Sequence, residues 1–285
     1  TAAPAPTATP EPAVTEPVAP EPISFIASTA SITVDGDTSD WAGVTAASIP
    51  MKQIKPFPGA NFSPIDPITA NLKVASDGER VFVLMEVPDD YDFVLEDHKL
   101  SPAIAVMFRV DDPAAPHMGT TEEEQDVSLG KVDIWHWELD CGPGVMSGGV
   151  TGIPGGNDPP CNLDDEWSTT PENREDDGSA LAENSISGVW EHTARSQGPG
   201  ADGMWVFEMS RKLETGDPDD AQLSPGGTAY MALAYWDPDE MAEVHQHPPR
   251  RLEPYGGIVW RRRRWPFVGS LAVDGAHVGA GCTNF

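Results

Sequence analysis

Two segments joined by Asp77-Gly78 constrain this chain most. Leu72 and Val74 alternate with polar residues before that dipeptide, and Val81, Val83 and Met85 alternate back after it. A period of two is what a half-buried strand needs, because successive side chains point to opposite faces. Asp-Gly between two such runs supplies the positive φ of a tight hairpin turn. The pattern recurs along the chain. SITV alternates before a turn at Asp35-Gly36, and AIAVMFRV (103–110), KVDIWHWEL (131–139), GMWVFEMSRKL (203–213) and AYMALAYW (229–236) read as further strands, with GIVWRRRRW (257–265) as a late one. With 29 Pro and 27 Gly in 285 residues, many short strands joined by turns are favoured over long helices. The expected fold is all-β: an antiparallel β-sandwich with immunoglobulin-like layers and few short helices.

Composition narrows the function classes. A formal net charge of −29, from 46 acidic and 17 basic residues, repels phosphate backbones and argues against a nucleic-acid partner. No run approaches the ~20 apolar residues that a membrane-spanning helix requires. Residues 1–22, TAAPAPTATPEPAVTEPVAPEP, carry no hydrophobic period and read as an extended Pro/Ala-rich tether. Such tethers separate a domain from a membrane anchor or an upstream targeting segment, so a periplasmic or otherwise extracytoplasmic location is expected. One domain is expected over 23–285, interrupted by a polar, Gly/Pro-rich insertion at about 141–203. Cys141 and Cys161 bracket the first part of that insertion, and a disulfide closing the loop is expected in an oxidising compartment, leaving Cys282 over. The chain has no CxxCH, which excludes covalent c-type heme attachment, and no CxxC pair to suggest zinc. GxSxG, HExxH and P-loop signatures are also lacking and no GxGxxG is read after a strand, so no catalytic constellation of its own is expected.

Several segments together resemble one family. Ile32 to Trp41 looks like the opening of carbohydrate-binding and DOMON-like sandwiches. More specifically, Ala105 to Phe108, then Pro116-His-Met-Gly119, then Val132 to Trp137 resemble the heme-binding gamma subunit of ethylbenzene dehydrogenase and its relatives. Those relatives serve periplasmic molybdenum enzymes that act on selenate, chlorate or dimethyl sulfide. Arg211 to Asp217 and Ala229 to Asp237 fit the closing strands of the same DOMON/CBM9-like fold. The resemblance covers roughly residues 30 to 265, interrupted by the insertion.

The resemblance implies one noncovalent heme b gripped by a methionine on one side and a lysine or histidine on the other. Met118 sits at the family's methionine motif. No lysine follows the AYWD strand; the segment DEMAEVHQHPPRRL offers His247, with His245 as the alternate. A neutral imidazole is a good iron ligand. His245 and His247 also fit a surface HxH metal site. Phe108, Trp135 and Trp137 are expected to form an apolar wall, and His117 to touch the heme edge or face solvent from its turn. His136 points opposite to Trp135 and Trp137 in a strand and reads as a packed or surface residue. Lys212 reads as structural, with an axial role only under a different alignment. Arg261 to Arg264 read as a solvated edge that resists strand pairing. The implied function is electron transfer as a subunit beside iron–sulfur and molybdenum subunits, with a cytochrome as the other partner. The runner-up is a secreted carbohydrate-binding or scaffold sandwich without heme.

Overall fold

The computed structural model describes residues 23–51, 68–93, 102–121, 124–139, 162–177, 185–225, 227–237 and 278–282. Among the described residues, twelve strands make two sheets. They are β1 (Ile23–Thr29), β2 (Ala46–Met51), β3 (Ile68–Ser76), β4 (Arg80–Asp90), β5 (Ala103–Arg109), β6 (Val132–Glu138), β7 (Asn162–Ser168), β8 (Glu175–Asp176), β9 (Ser187–His192), β10 (Asp202–Lys212), β11 (Met231–Trp236) and β12 (Val278–Cys282). One sheet has seven strands in the order β12-β1-β3-β4-β10-β9, with β2 also on β3; the other has five, β11-β5-β6-β7-β8. The chain is the expected β-sandwich. Apart from a parallel contact between β1 and β3, the pairings are antiparallel.

The hairpin forms as its sequence predicts. Gly78 takes φ +94°, and the Asp77 carboxylate accepts from the backbone N–H groups of Glu79 and Arg80 at 2.9 and 2.8 Å. Leu72, Val74, Val81, Val83 and Met85 all face the inter-sheet core. Their opposite neighbours Phe82 and Leu84 are buried too, under Trp41 and Ile32. Burial on both faces removes the polar half of the alternation and leaves near-continuous apolar runs. The same holds for β5 and β11.

The segment 31–43 departs from its expected form. It is not a ladder strand but a coil and a short 3-10 turn, Thr38–Gly43, laid over the outside of the first sheet. Its turn at Asp35-Gly36 is held from across the sheet: Glu208 accepts from Gly36 N at 2.7 Å and from the Trp41 indole at 2.6 Å.

Residues 162–203 also differ from expectation. They contribute β7, β8, β9 and the start of β10, rather than lying in an insertion. β7, NLDDEWS, looks like a loop because its buried residues are acidic. It is a strand because those acids find cations inside the protein. Asp165 faces inward to Arg211, and Glu166 faces outward to Arg174. The Cys141–Cys161 pairing and the GIVWRRRRW strand lie outside the described residues.

Polar groups clasp the two sheets at both ends. At one end Arg211 of β10 reaches Asp133 of β6 and Asp165 of β7, and lies 5.0 Å from the Trp135 ring. At the other end the Tyr235 hydroxyl of β11 donates to Asp89 of β4. Burial, then the charge of Asp237, push the Asp89 carboxyl up to about 7 from 3.8, against the opposing hydrogen bond from Tyr235. A carboxyl that holds its proton more tightly when folded binds more protons in the native state between those two values. Stability therefore falls as pH rises from about 4 to about 7. Denaturant midpoints across that window are expected to decline in the wild type and to decline less in Asp89→Asn. Equal slopes would refute the assignment.

Candidate functional site

The outward face of the five-stranded sheet is built from alternate residues. Ala103, Ala105 and Met107 of β5 and Ala232, Ala234 and Trp236 of β11 share it with Val132 and Ile134 of β6. The register aligns Ala234, Ala105, His136 and Asp164 in one row, and Ala232, Met107, Ile134 and Glu166 in the next. One half of the face is thus an apolar floor in which four alanines stand among Met107, Ile134 and Trp236, and the other half is polar. His136 stands at the boundary. Its Nδ1 lies 3.3 Å from Glu166 Oε1, and Arg174 Nε pairs with the other oxygen of Glu166 at 3.2 Å. The His136 ring packs 5.3 Å from that of Trp236.

The loop after β5 carries Met118 onto this floor. His117 and Thr120 exchange backbone hydrogen bonds at 3.1 Å in both directions, which closes a two-residue turn. Its central residues Met118 and Gly119 have φ +53° and +91°, the signs of a type I′ turn. Asn, Asp or Gly normally fills the first of these positions. A methionine there costs ~1–2 kcal/mol of backbone strain. Gly119 is obligatory, since a Cβ would sit 2.4 Å from Gly130 O and 2.8 Å from Thr169 O. Met118 O accepts from Ser168 Oγ at 3.2 Å, tying the turn to β7. The Met118 side chain is 5% exposed and belongs to the alanine-floored cluster. A shallow depression opens at the rim, among Arg109, Ala114, Pro116 and Tyr230.

The sequence-predicted site residues separate into groups. Met118 lies on the outer floor. Phe108, Trp135 and Trp137 lie in the inter-sheet core, on the opposite face of the same strands, so they do not wall a group held by Met118. They alternate with Met107, Ile134 and His136, and that parity decides the matter. His117 is buried rather than solvated in its turn. Lys212 is exposed at the end of β10, on the outside of the other sheet, and cannot share a ligand with Met118. His245 and His247 lie outside the described residues. Sequence reading missed the alanine floor. Its signal was present as the matched parity of Ala103 and Ala105 in AIA and of Ala232 and Ala234 in ALA.

A sequence profile described as ethylbenzene dehydrogenase matches residues 38–248. Among the curated proteins there is no significant match. Among solved structures, a Bacteroides uniformis protein described as carbohydrate-binding superposes with a TM-score of 0.44 at 8% identity, covering 85% of this chain and 88% of that one. A family 9 carbohydrate binding module from Caldicellulosiruptor kristjanssonii, solved with glucose, gives a TM-score of 0.34 at 11% identity, covering 73% and 74%.

Proposed function

The chain belongs to the ethylbenzene dehydrogenase family, and on that premise we propose that it is an extracytoplasmic b-type cytochrome subunit, passing single electrons within a larger molybdenum-enzyme-like respiratory assembly. One observation carries the reading. Among the described residues Met118 is the one non-glycine residue at positive φ, and its buried side chain clusters with the apolar outward face of the five-stranded sheet. A soft sulfur donor packed on an apolar face suits a porphyrin iron, and backbone strain of this kind is characteristic of functional positions. A heme b bound there supplies a one-electron couple.

This chain's residues do the rest. Met118 would supply one donor to a heme iron and, as a thioether, would favour the ferrous state. His247 would supply the second donor, with His245 as the alternate. The buried alanines and Trp236 would keep water from such a group and so raise its potential. Iron–sulfur and molybdenum subunits stand on one side of the transfer and a cytochrome on the other. The net charge of −29 steers the domain toward basic partner surfaces, and residues 1–22 act as the tether. The carbohydrate-binding reading needs open aromatic rings for stacking. Among the described residues the exposed large aromatic is Tyr230, and the Arg109 guanidinium lies over its ring at 4.3 Å.

The visible spectrum of the purified chain, reconstituted with hemin, tests the proposal. Reduced low-spin b-type bands are expected in the wild type and their loss in Met118→Ala, with His247→Ala losing them more completely than His245→Ala. A chain that stays colourless with hemin would end the cytochrome reading.

A further inference from the structure

Among the described residues, large apolar side chains are exposed at one end of the molecule. Val127, Leu129 and Tyr230 are 47%, 38% and 44% exposed, and all three stand at the end of the five-stranded sheet that Arg211 closes. Tyr230 immediately precedes β11, and its carbonyl accepts from Arg109 N at 3.0 Å. Arg109 pairs across the sheet with Val132, which opens β6. Leu129 lies three residues before Val132, where its N–H holds Gly119 O in the Met118 turn. Two strand spacings, about 10 Å, separate β11 from β6. Single exposed apolar residues are ordinary, but a group of them at one end marks a contact face.

This face is joined to the candidate site and held in shape. Met107, Ala114, Val132 and Ala232 line the depression beside Tyr230, and the same four residues belong to the Met118 cluster. Lys131 O accepts from Val110 N and Asp111 N, both at 3.1 Å, which pins the two ends of the loop together. A loop already ordered loses little entropy when a partner lands on it.

Charge selects the occupant. Asp111, Asp112, Glu124 and Asp126 are exposed on the loop. The two cations at this end are engaged within the chain: Arg109 Nη1 pairs with Asp112 at 3.2 Å and its guanidinium lies over the Tyr230 ring, while Lys131 pairs with Asp219. Those four acids and Asp219 against two cations leave a formal charge of −3 around the apolar centre. A second copy of this chain would set like charge against like across the contact, and phosphate-bearing surfaces are repelled for the same reason. A protein with lysine or arginine around its own apolar patch fits.

We propose that Val127, Leu129 and Tyr230 form the centre of a docking surface for a basic electron-carrier protein, whose cations meet Asp112, Glu124 and Asp126. That the partner carries electrons rests on the cytochrome reading; the docking surface does not.

The test uses the full chain without heme and a basic cytochrome c as the probe, at low ionic strength. Carbodiimide cross-links from probe lysines, mapped by mass spectrometry, are expected at Glu124 and Asp126. Glu124→Lys with Asp126→Lys is expected to weaken binding about tenfold or more. Glu191→Lys with Asp202→Lys makes the same charge change on the seven-stranded sheet, toward its Asp89 end, and is expected to weaken binding less than about threefold. Leu129→Ser with Tyr230→Ser is expected to cost about fivefold or more while the salt dependence is kept. Thermal midpoints close to wild type serve as the control for folding. Equal losses in the two charge-reversed pairs would mean attraction to net charge alone, and undiminished binding by the serine pair would mean that the apolar centre makes no contact. Either result, or no binding of the probe, overturns the proposal. So does sedimentation showing a dimer that Leu129→Ser dissociates, which gives the face to a second copy. A chain that binds the probe at this face but stays colourless with hemin keeps the docking surface and loses the electron-carrier assignment.

Discussion

Replacing Arg211 with methionine is expected to destabilise the chain by about 4–5 kcal/mol, the upper part of the range for breaking a buried ion pair. The residue is fully buried and its guanidinium bonds Asp133, Asp165 and Asp220 at once. Methionine fills most of the volume but leaves three interior carboxylates without their cation. The loss is therefore desolvated charge rather than a cavity. Burial already pushes the Asp133 and Asp165 carboxyls up to about 6 and about 8 despite the adjacent guanidinium. Without it those groups must take protons, so the variant's deficit is expected to be smallest in acid and to grow as pH rises. Arg211→Lys is expected to recover only part of the loss, because an ammonium has no planar fork to span three carboxylates. Urea midpoints at two pH values measure this. A loss below ~1 kcal/mol would mean that the clasp is not what holds this end of the sheets together.

Gly119→Ala carries the second large effect. It combines positive φ, costing ~1–3 kcal/mol, with a Cβ driven into two backbone carbonyl oxygens, so a total of ~3–5 kcal/mol is expected. Gly78→Ala provides the contrast. Gly78 has a similar φ of +94° but no atom within 4 Å of an added Cβ. It should cost only the conformational part, ~1 kcal/mol. If the two variants lose equal stability, the close packing of the Met118 turn against Gly130 and Thr169 is not a determinant of the fold. The turn cannot relax away from β7, because Ser168 Oγ holds Met118 O and Leu129 N donates to Gly119 O at 2.8 Å. That rigidity is what a ligand-bearing loop needs.

Much of the architecture was legible where one face of a strand is polar or a turn has a required residue. The Asp77-Gly78 hairpin is the clearest case. β7 was not legible, because its acids are buried by cations from elsewhere in the chain, and no local pattern reports a distant arginine. The strand expected at Ile32 to Val34 fails for the opposite reason. Its alternation is real and buries Ile32, but the partner is the outer surface of a sheet rather than a neighbouring strand. For the candidate site, the turn motif at Met118 was visible and the floor beneath it was not.

The amino-acid order alone determined the period-two segments, the glycines at positive φ and the thioether in its turn. It could not assign sides in the five-stranded sheet. Alternation fixes that Trp135 and His136 point oppositely, but both faces of β5, β6 and β11 are buried, so hydrophobicity does not say which face meets the other sheet. Tertiary packing decided that: Phe108, Trp135 and Trp137 turned inward to fill the space between the sheets, and Ala103, Ala105, Ala232 and Ala234 turned outward to the face that carries Met118.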